Sequence, residues 1–209
     1  MNAADIVLIA AYASLVVELV AFPIPSEASV WQLVVTGGDG DGDGDAPELV
    51  AARRSPLAKR LLLFLLPTAL CIALFLVPLV VVAAPSTQAI LAPMRHEAWL
   101  WPGLGLVWLG RFICFGSVLQ LRTAKRNDAL PAGMFRISRN PGLIGMWTMY
   151  GGLCAVIGGP WLWLGAPLYF LNMHTRVRLE EANLDARYTS SWREYVRRVP
   201  RYLPLPGLR

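Results

Sequence analysis

The chain has 209 residues, of which 56% are hydrophobic and 16% are charged, and its formal net charge at pH 7 is +5. This composition is too apolar for an ordinary soluble domain, and the apolar residues come in long runs, so we interpret the chain as an integral membrane protein. The positive charge does not indicate a nucleic-acid partner, because the lysines and arginines flank the apolar runs.

Five apolar runs are predicted to cross the membrane, since a spanning helix needs about 20 predominantly apolar residues. We therefore expect an all-α membrane protein with a single membrane domain over residues 1–209. The predicted spans are about 6–22, 61–84, 99–121, 142–157 and 160–175. The last two meet at Gly158-Gly159-Pro160, which predicts a tight helical hairpin.

Two ionisable residues stand out inside these spans. Glu18 lies near the end of the first span, where its carboxylate is either a functional group or, as we expect, reaches the membrane interface. Arg111 lies near the middle of the third span, where facing lipid would be costly. We expect Arg111 to face a polar cavity or to pair with an acid.

The connection between the first two spans contains a tract of alternating Gly and Asp at 36–46. The tract resembles a calcium loop, but it lacks the terminal Glu and the flanking helices of an EF-hand. We therefore predict a flexible, solvated loop and no metal site. Three cysteines, Cys71, Cys114 and Cys154, lie in apolar runs, fit no metal spacing and are expected to be buried.

The basic residues predict the orientation. They cluster before the second span, after the third and after the fifth, which places these regions on one side of the membrane. We predict an N-terminus outside and a C-terminus in the cytoplasm. A bacterial inner membrane is favoured because the chain is compact and shows no targeting signal; the endoplasmic reticulum is the eukaryotic equivalent.

A basic hinge, residues 135–142, leads into the fourth span. Asn140 and Pro141 are typical of a helix start, in which Asn caps the helix and Pro fits the first turn. The backbone N–H groups of such a start can hold a carboxylate or another anion.

A charged segment follows the fifth span. Arg176 and Glu180 lie four residues apart on one helical face, with Glu181 adjacent. These charged side chains either bind a zwitterionic ligand or form a solvated ion pair with each other. Residues 180–198 are predicted to form a helix with aromatic residues along one face.

The C-terminal seventy or so residues resemble the integral membrane methyltransferases, a family that includes isoprenylcysteine carboxyl methyltransferase and phosphatidylethanolamine N-methyltransferase. The family pattern is G-P-Y-x-x-x-R-H-P-x-Y-x-G, then a membrane hairpin, then R-x-x-x-E-E-x-x-L-x-x-x-F-G-x-x-Y-x-x-Y-x-x-x-V-P-R-x-x-P. The first block is matched by Gly133, Arg139, Pro141 and Gly145, with Phe135 for Tyr, Asn140 for His and Leu143 for Tyr. The second block keeps every spacing, with Arg176, Glu180, Glu181, Leu184, Tyr195, Val199, Pro200, Arg201 and Pro204 identical and Tyr188, Thr189 and Trp192 substituted.

This resemblance implies an enzyme that moves a methyl group from S-adenosylmethionine to a lipophilic acceptor by direct in-line transfer. The acceptor, a prenylcysteine carboxylate or a lipid amine, would enter from the bilayer. The implied cofactor-binding residues lie within the region 133–204 and are Phe135, Arg139, Asn140, Pro141, Gly145, Arg176, Glu180 and Glu181. No catalytic residue is assigned, and the candidates are Glu18, Arg111, Arg139 and Arg176.

Two other functions stay open. Sterol reductases and some steroid reductases end in a similar module, which would make the chain a membrane reductase that uses NADPH, although those enzymes have more spans. The second possibility is that the chain is a non-catalytic membrane protein that kept the fold of the family.

Overall fold

The structure is a computed structural model that describes residues 2–22, 28–36, 44–92, 96–126, 133–187 and 189–203. Every regular element in these ranges is helical, which confirms the all-α class. The main helices are α1 (Ala3–Ala21), α2 (Pro47–Arg54), α3 (Leu57–Ala83), α4 (Glu97–Arg126), α5 (Pro141–Ile157), α6 (Gly165–Arg187) and α7 (Thr189–Arg198). Shorter helical pieces are Gln32–Thr36, Pro85–Thr87, Gln88–Leu91, Gly133–Arg136 and Pro160–Leu164, and α3 contains the π-helical segment Leu61–Leu65.

Three helices are long and apolar enough to cross a membrane, namely α1, α3 and the part of α4 from Glu97 to Ala124. They correspond to the first three predicted spans. The apolar helix α5 has only 17 residues. The count of five spans and the orientation therefore stay predictions.

The charged segment after the fifth predicted span does not begin a helix of its own. Helix α6 already begins at Gly165 and continues through Arg176 to Arg187. The predicted helix over 180–198 is thus the end of α6 together with α7, and Tyr188, which stands between them, lies outside the described residues.

The chain divides into two compact units, and the single membrane domain over residues 1–209 stays a prediction. Unit 1 contains α1, α3 from Leu74, α4, α5 and the chain end from Val199. Unit 2 contains α2, α3 as far as Ala73, α6 from Pro167 and α7. Each unit has its own buried apolar cluster, so each is described by itself.

Glycines spaced seven residues apart form the interface between α4 and α5 in unit 1. Gly103 and Gly110 of α4 face Gly152 and Gly145 of α5. A Cβ atom added to Gly110 would lie 2.4 Å from the Gly145 carbonyl oxygen, and one added to Gly152 would lie 2.6 Å from the Gly103 carbonyl oxygen. Small residues let helix backbones approach closely, so these four positions set the distance between the two helices.

The core of unit 2 joins three parts of the chain. Leu33, Leu49 and Phe64 are buried together. Leu179 and Ala182 of α6 pack against this cluster. Apolar burial of this kind stabilises the connection after α1 on the surface of α6.

Candidate functional site

The segment that leads into the hinge begins with Gly133 in the left-handed region, at a φ of 66°. A Cβ atom there would also lie 2.8 Å from the side chain of Gln120 on α4, so both the backbone and the space require glycine. The Gln120 side-chain oxygen accepts a hydrogen bond of 2.9 Å from the Met134 N–H, and the Phe135 side chain is buried. The start of the hinge is therefore anchored to α4.

Three hydrogen bonds join the hinge to the Pro200-Arg201 segment within unit 1. The Arg139 N–H donates to the Pro200 carbonyl oxygen at 2.9 Å. The Arg201 carbonyl oxygen accepts from the Ser138 hydroxyl at 3.2 Å and from the Asn140 side-chain amide at 3.1 Å. The first block of the family pattern and the end of the second block therefore fold against each other.

Helix α5 begins where the sequence predicts, with Asn140 at the N-cap and Pro141 at the first helical position. The predicted cap is wrong, because the Asn140 side chain makes no capping bond to α5 and turns to Arg201 instead. The Asn140 N–H donates to the Ser138 hydroxyl at 3.0 Å. The first turn of α5 thus has no cap from Asn140, an arrangement that suits an anionic group.

The next turn of α5 packs tightly on two sides. Gly145 faces α4, where a Cβ atom would lie 2.7 Å from the Cys114 sulfur and from the Gly110 carbonyl oxygen. The Trp147 ring packs edge to face with the Tyr202 ring, with centroids 4.9 Å apart. Gly145 therefore has a packing reason of its own, and its implied contact with a cofactor stays a prediction.

In unit 2, polar residues of α6 form one stripe, because they are three or four residues apart. They are Arg176, Glu180, Asn183 and Arg187. The Arg176 Nε donates to the Ala28 carbonyl oxygen at 2.9 Å, and the Glu180 carboxylate accepts from the Ala28 N–H at 3.0 Å. Both charged side chains thus bind the main chain of one buried residue, a contact that the sequence did not predict.

The other end of the stripe binds the end of the Gly-Asp tract. The Asn183 side-chain oxygen accepts from the Ala46 N–H at 3.2 Å, and Asp45 pairs with Arg187 at 2.6 Å and with Arg53 of α2 at 2.7 Å. The side chains of Asp45 and Arg53 are 1% exposed. The predicted solvated loop is therefore wrong at Asp45, while residues 37–43 lie outside the described residues.

Sequence reasoning missed Asn183 and Arg187 as members of this stripe. The signal that finds them is the polar spacing of four, three and four residues that begins at Arg176. This spacing matches the period of an α-helix.

Burial lowers the pKa of Arg176, and the charges of Tyr169 and Glu180 oppose that change. A guanidinium stays protonated at physiological pH despite such a shift. Arg176 therefore acts on Ala28 as a permanent cation, and its hydrogen bond is charge-assisted.

The remaining residues of the second motif block are more dispersed. Glu181 is half-buried on α6, about 100° round the helix from Glu180. On α7, the Trp192 and Tyr195 rings lie 5.5 Å apart. Pro204, like Tyr188, lies outside the described residues.

The two charged residues of the predicted spans bind each other within unit 1. Arg111 Nη2 lies 2.8 Å from a Glu18 carboxylate oxygen, and Arg111 Nε donates to the Ser14 hydroxyl at 2.9 Å. The pairing of Arg111 with an acid is confirmed. The expectation that Glu18 reaches the interface is wrong, because its side chain is only 9% exposed.

Cys71, Cys114 and Cys154 are all buried, as predicted. Within the part of the chain that the structure describes, no group of three or more His, Cys, Asp or Glu residues is arranged to hold a metal ion.

The chain matches none of the family models, none of the curated proteins and none of the solved structures with which it was compared. The resemblance to the membrane methyltransferases therefore rests on the motif residues alone.

Proposed function

We propose that the chain is an integral membrane methyltransferase that moves a methyl group from S-adenosylmethionine to a lipophilic acceptor, such as a prenylcysteine carboxylate or a lipid amine. The proposal rests on the spacing of the second motif block from Arg176 to Pro204. The structural observation that supports it best is the hydrogen bonding of the Ser138-Arg139-Asn140 hinge to Pro200-Arg201, because two separate pieces of one family pattern meet there.

In unit 1, the hinge fits the acidic end of the methyl donor. S-adenosylmethionine carries a carboxylate, and the start of α5 has no cap from Asn140, so a carboxylate there would bind backbone N–H groups. Pro141 fixes the first helical residue, and Phe135 is held in place by burial. Arg139 would add a cation beside this helix start.

In unit 2, the two adjacent acids have unequal roles. The Glu180 carboxylate accepts a hydrogen bond from Ala28 and helps to hold the connection after α1. Glu181 lies on a different face of α6. Within unit 2, Glu180 therefore has a supporting role, and Glu181 is the acid that we infer, from the resemblance, to bind polar groups of the donor.

When bound, S-adenosylmethionine supplies a methyl group that is already activated, so the residues of the chain contribute mainly by alignment and by exclusion of water. A carboxylate acceptor needs no general base. An amine acceptor must lose a proton, and the candidate bases are Glu18, Glu180 and Glu181.

The test measures ligand binding by the full chain purified in mild detergent. S-adenosylmethionine and S-adenosylhomocysteine are expected to raise the Tm in a saturable way, and NADPH is expected to leave it unchanged. Transfer of a labelled methyl group to a lipid extract, followed by mass spectrometry, then identifies the acceptor. Stabilisation by NADPH alone would support the reductase, and no stabilisation by any of the three would support the non-catalytic protein.

Site variants test the assignment within unit 2. Glu181→Gln is expected to weaken S-adenosylmethionine binding by about ten- to a hundredfold, since a charge-assisted hydrogen bond contributes about 1.5–3 kcal/mol. Glu48→Gln, an exposed carboxylate on α2, is the matched control and should bind normally. Glu180→Gln is expected to lower the Tm of the free chain instead. Equal affinity of the Glu181 variant and the wild type would contradict the assignment.

A further inference from the structure

The guanidinium of Arg111 in unit 1 has one nitrogen that the rest of the unit does not use. Its Nε donates to Ser14, and its Nη2 donates to Glu18. The third nitrogen, Nη1, is buried and has no hydrogen-bond partner among the described residues. A buried charged donor without an acceptor retains its full desolvation penalty.

The neighbouring groups are arranged so that they hold Arg111 but do not satisfy Nη1. Ser14 accepts from Arg111 Nε and donates its own hydroxyl hydrogen to the Ala11 carbonyl oxygen at 2.7 Å. Glu18 lies four residues after Ser14, one turn along α1. Helix α1 thus fixes two nitrogens of the guanidinium and leaves the third for another acceptor.

The Arg111 site lies one turn of α4 from a residue that contacts the start of α5. Cys114 follows Arg111 by three residues on α4, so the two side chains are neighbours. The Cys114 thiol donates to the Gly142 carbonyl oxygen at 3.4 Å, and Gly145 packs against the same sulfur. Arg111 is therefore close to the first turns of α5, where Gly142 and Gly145 lie.

The charge of the pair decides which ligand fits. The Arg111 and Glu18 side chains are 4% and 9% exposed, and their charges cancel. A carboxylate bound at Nη1 would give this buried site a net negative charge, and an ammonium group has no acceptor to offer. An uncharged carbonyl or hydroxyl oxygen would satisfy Nη1 without adding charge.

We propose that Arg111 Nη1 binds the uncharged carbonyl or hydroxyl oxygen of a lipophilic ligand, with Glu18 as the counter-ion and Ser14 as a positioning residue. The identification of this ligand as the methyl acceptor rests on the proposed function. The amide carbonyl of a prenylcysteine chain and the ester carbonyl of a glycerolipid both have the required oxygen.

The test compares three probes with the same alkyl chain and different head groups, namely dodecanol, dodecanoate and dodecylamine. Titrations of the full chain in detergent, followed by thermal stabilisation and native mass spectrometry, give the three affinities. The wild type is expected to bind dodecanol about tenfold more tightly than either charged probe. Glu18→Gln gives the site a net positive charge, and the preference is expected to move to dodecanoate.

Two arginine variants distinguish a specific effect of Arg111 from a general effect of positive charge on α4. Arg111→Lys keeps a cation opposite Glu18 but has no Nη1, so the preference for dodecanol is expected to disappear. Arg122→Lys changes an exposed arginine of the same helix, which donates to the Ala21 carbonyl oxygen, and should leave the preference unchanged.

Equal binding of the three probes by the wild type, or an unchanged order in Glu18→Gln, would overturn the inference and leave Nη1 to water alone. An S-adenosylmethionine titration of the same preparations distinguishes this failure from failure of the proposed function. Donor binding without a dodecanol preference would overturn only the Arg111 site. A dodecanol preference without donor binding would support the site and contradict the methyltransferase.

Discussion

Replacement of Gly110 by alanine is expected to destabilise unit 1, whereas the same change at Gly105 of α4 is expected to stabilise it. The new Cβ atom at Gly110 would lie 2.4 Å from the Gly145 carbonyl oxygen and 2.5 Å from the Met149 nitrogen. Both are main-chain atoms of α5, so α5 must move away by about 1 Å to restore ordinary contact. At Gly105 no atom lies within 4 Å of the added Cβ atom.

The free energies of unfolding follow from these distances. Overpacking against a main chain costs about 3 kcal/mol, the upper end of the usual range. Alanine gains about 1 kcal/mol over glycine as a helix former. We therefore expect Gly110→Ala to lose about 2 kcal/mol and Gly105→Ala to gain about 1 kcal/mol.

Thermal unfolding in one detergent, followed by tryptophan fluorescence, measures both variants. For a chain of this length each kcal/mol shifts the Tm by about 2–4 °C. Gly152→Ala and Gly151→Ala repeat the comparison on α5, since only the first would contact α4. Shifts of the same sign and size for Gly110 and Gly105 would refute the idea that glycines set the distance between α4 and α5.

Two further predictions concern hydrogen bonds between distant residues. Asn140→Ala removes the side-chain donor to the Arg201 carbonyl oxygen and is expected to cost about 1 kcal/mol. Asn140→Asp should cost more because it places an acceptor against that carbonyl, and a Tm equal to the wild type for both variants would contradict the reasoning. Asp45→Asn leaves the buried guanidinium of Arg53 without its full negative partner and is expected to cost up to about 3–5 kcal/mol in denaturant unfolding. The double variant that combines Asp45→Leu with Arg53→Met removes both buried charges and should recover most of the loss; no recovery would show that buried charge is not the cause.

The features that the sequence predicts well are those set by local composition. Apolar runs gave the three long helices that can cross a membrane, because length and hydropathy are local properties. Pro141 also indicated the start of α5 by a local property, because a residue without a backbone N–H fits the first turn of a helix. The physical cost of a lone charge in lipid also predicted that Arg111 would face a polar cavity or pair with an acid, and the structure shows the pairing.

The features that the sequence did not predict depend on contacts between distant residues. The free-energy cost of an unpaired arginine in lipid does not identify the acid that pairs with Arg111, and Glu18 lies 93 residues away in the sequence. The bond between Asn140 and Arg201 spans 61 residues, and that between Arg176 and Ala28 spans 148. A short polar side chain such as Asn140 has several possible partners of similar energy, so tertiary packing decides among them.

The buried Asp45 has a consequence for changes in the length of the Gly-Asp tract. The sequence from Gly38 to Asp45 is four Gly-Asp dipeptides, followed directly by Ala46. Gly44 has a φ of 94°, which suits glycine, and the next residue must carry the carboxylate that pairs with Arg53 and Arg187. Insertions or deletions upstream of Gly44 therefore preserve both requirements, whereas loss of Gly44 or Asp45, or a residue inserted between Asp45 and Ala46, puts the wrong side chain at these positions. The tract can therefore vary in length without loss of this anchor, provided that Gly-Asp stands directly before Ala46.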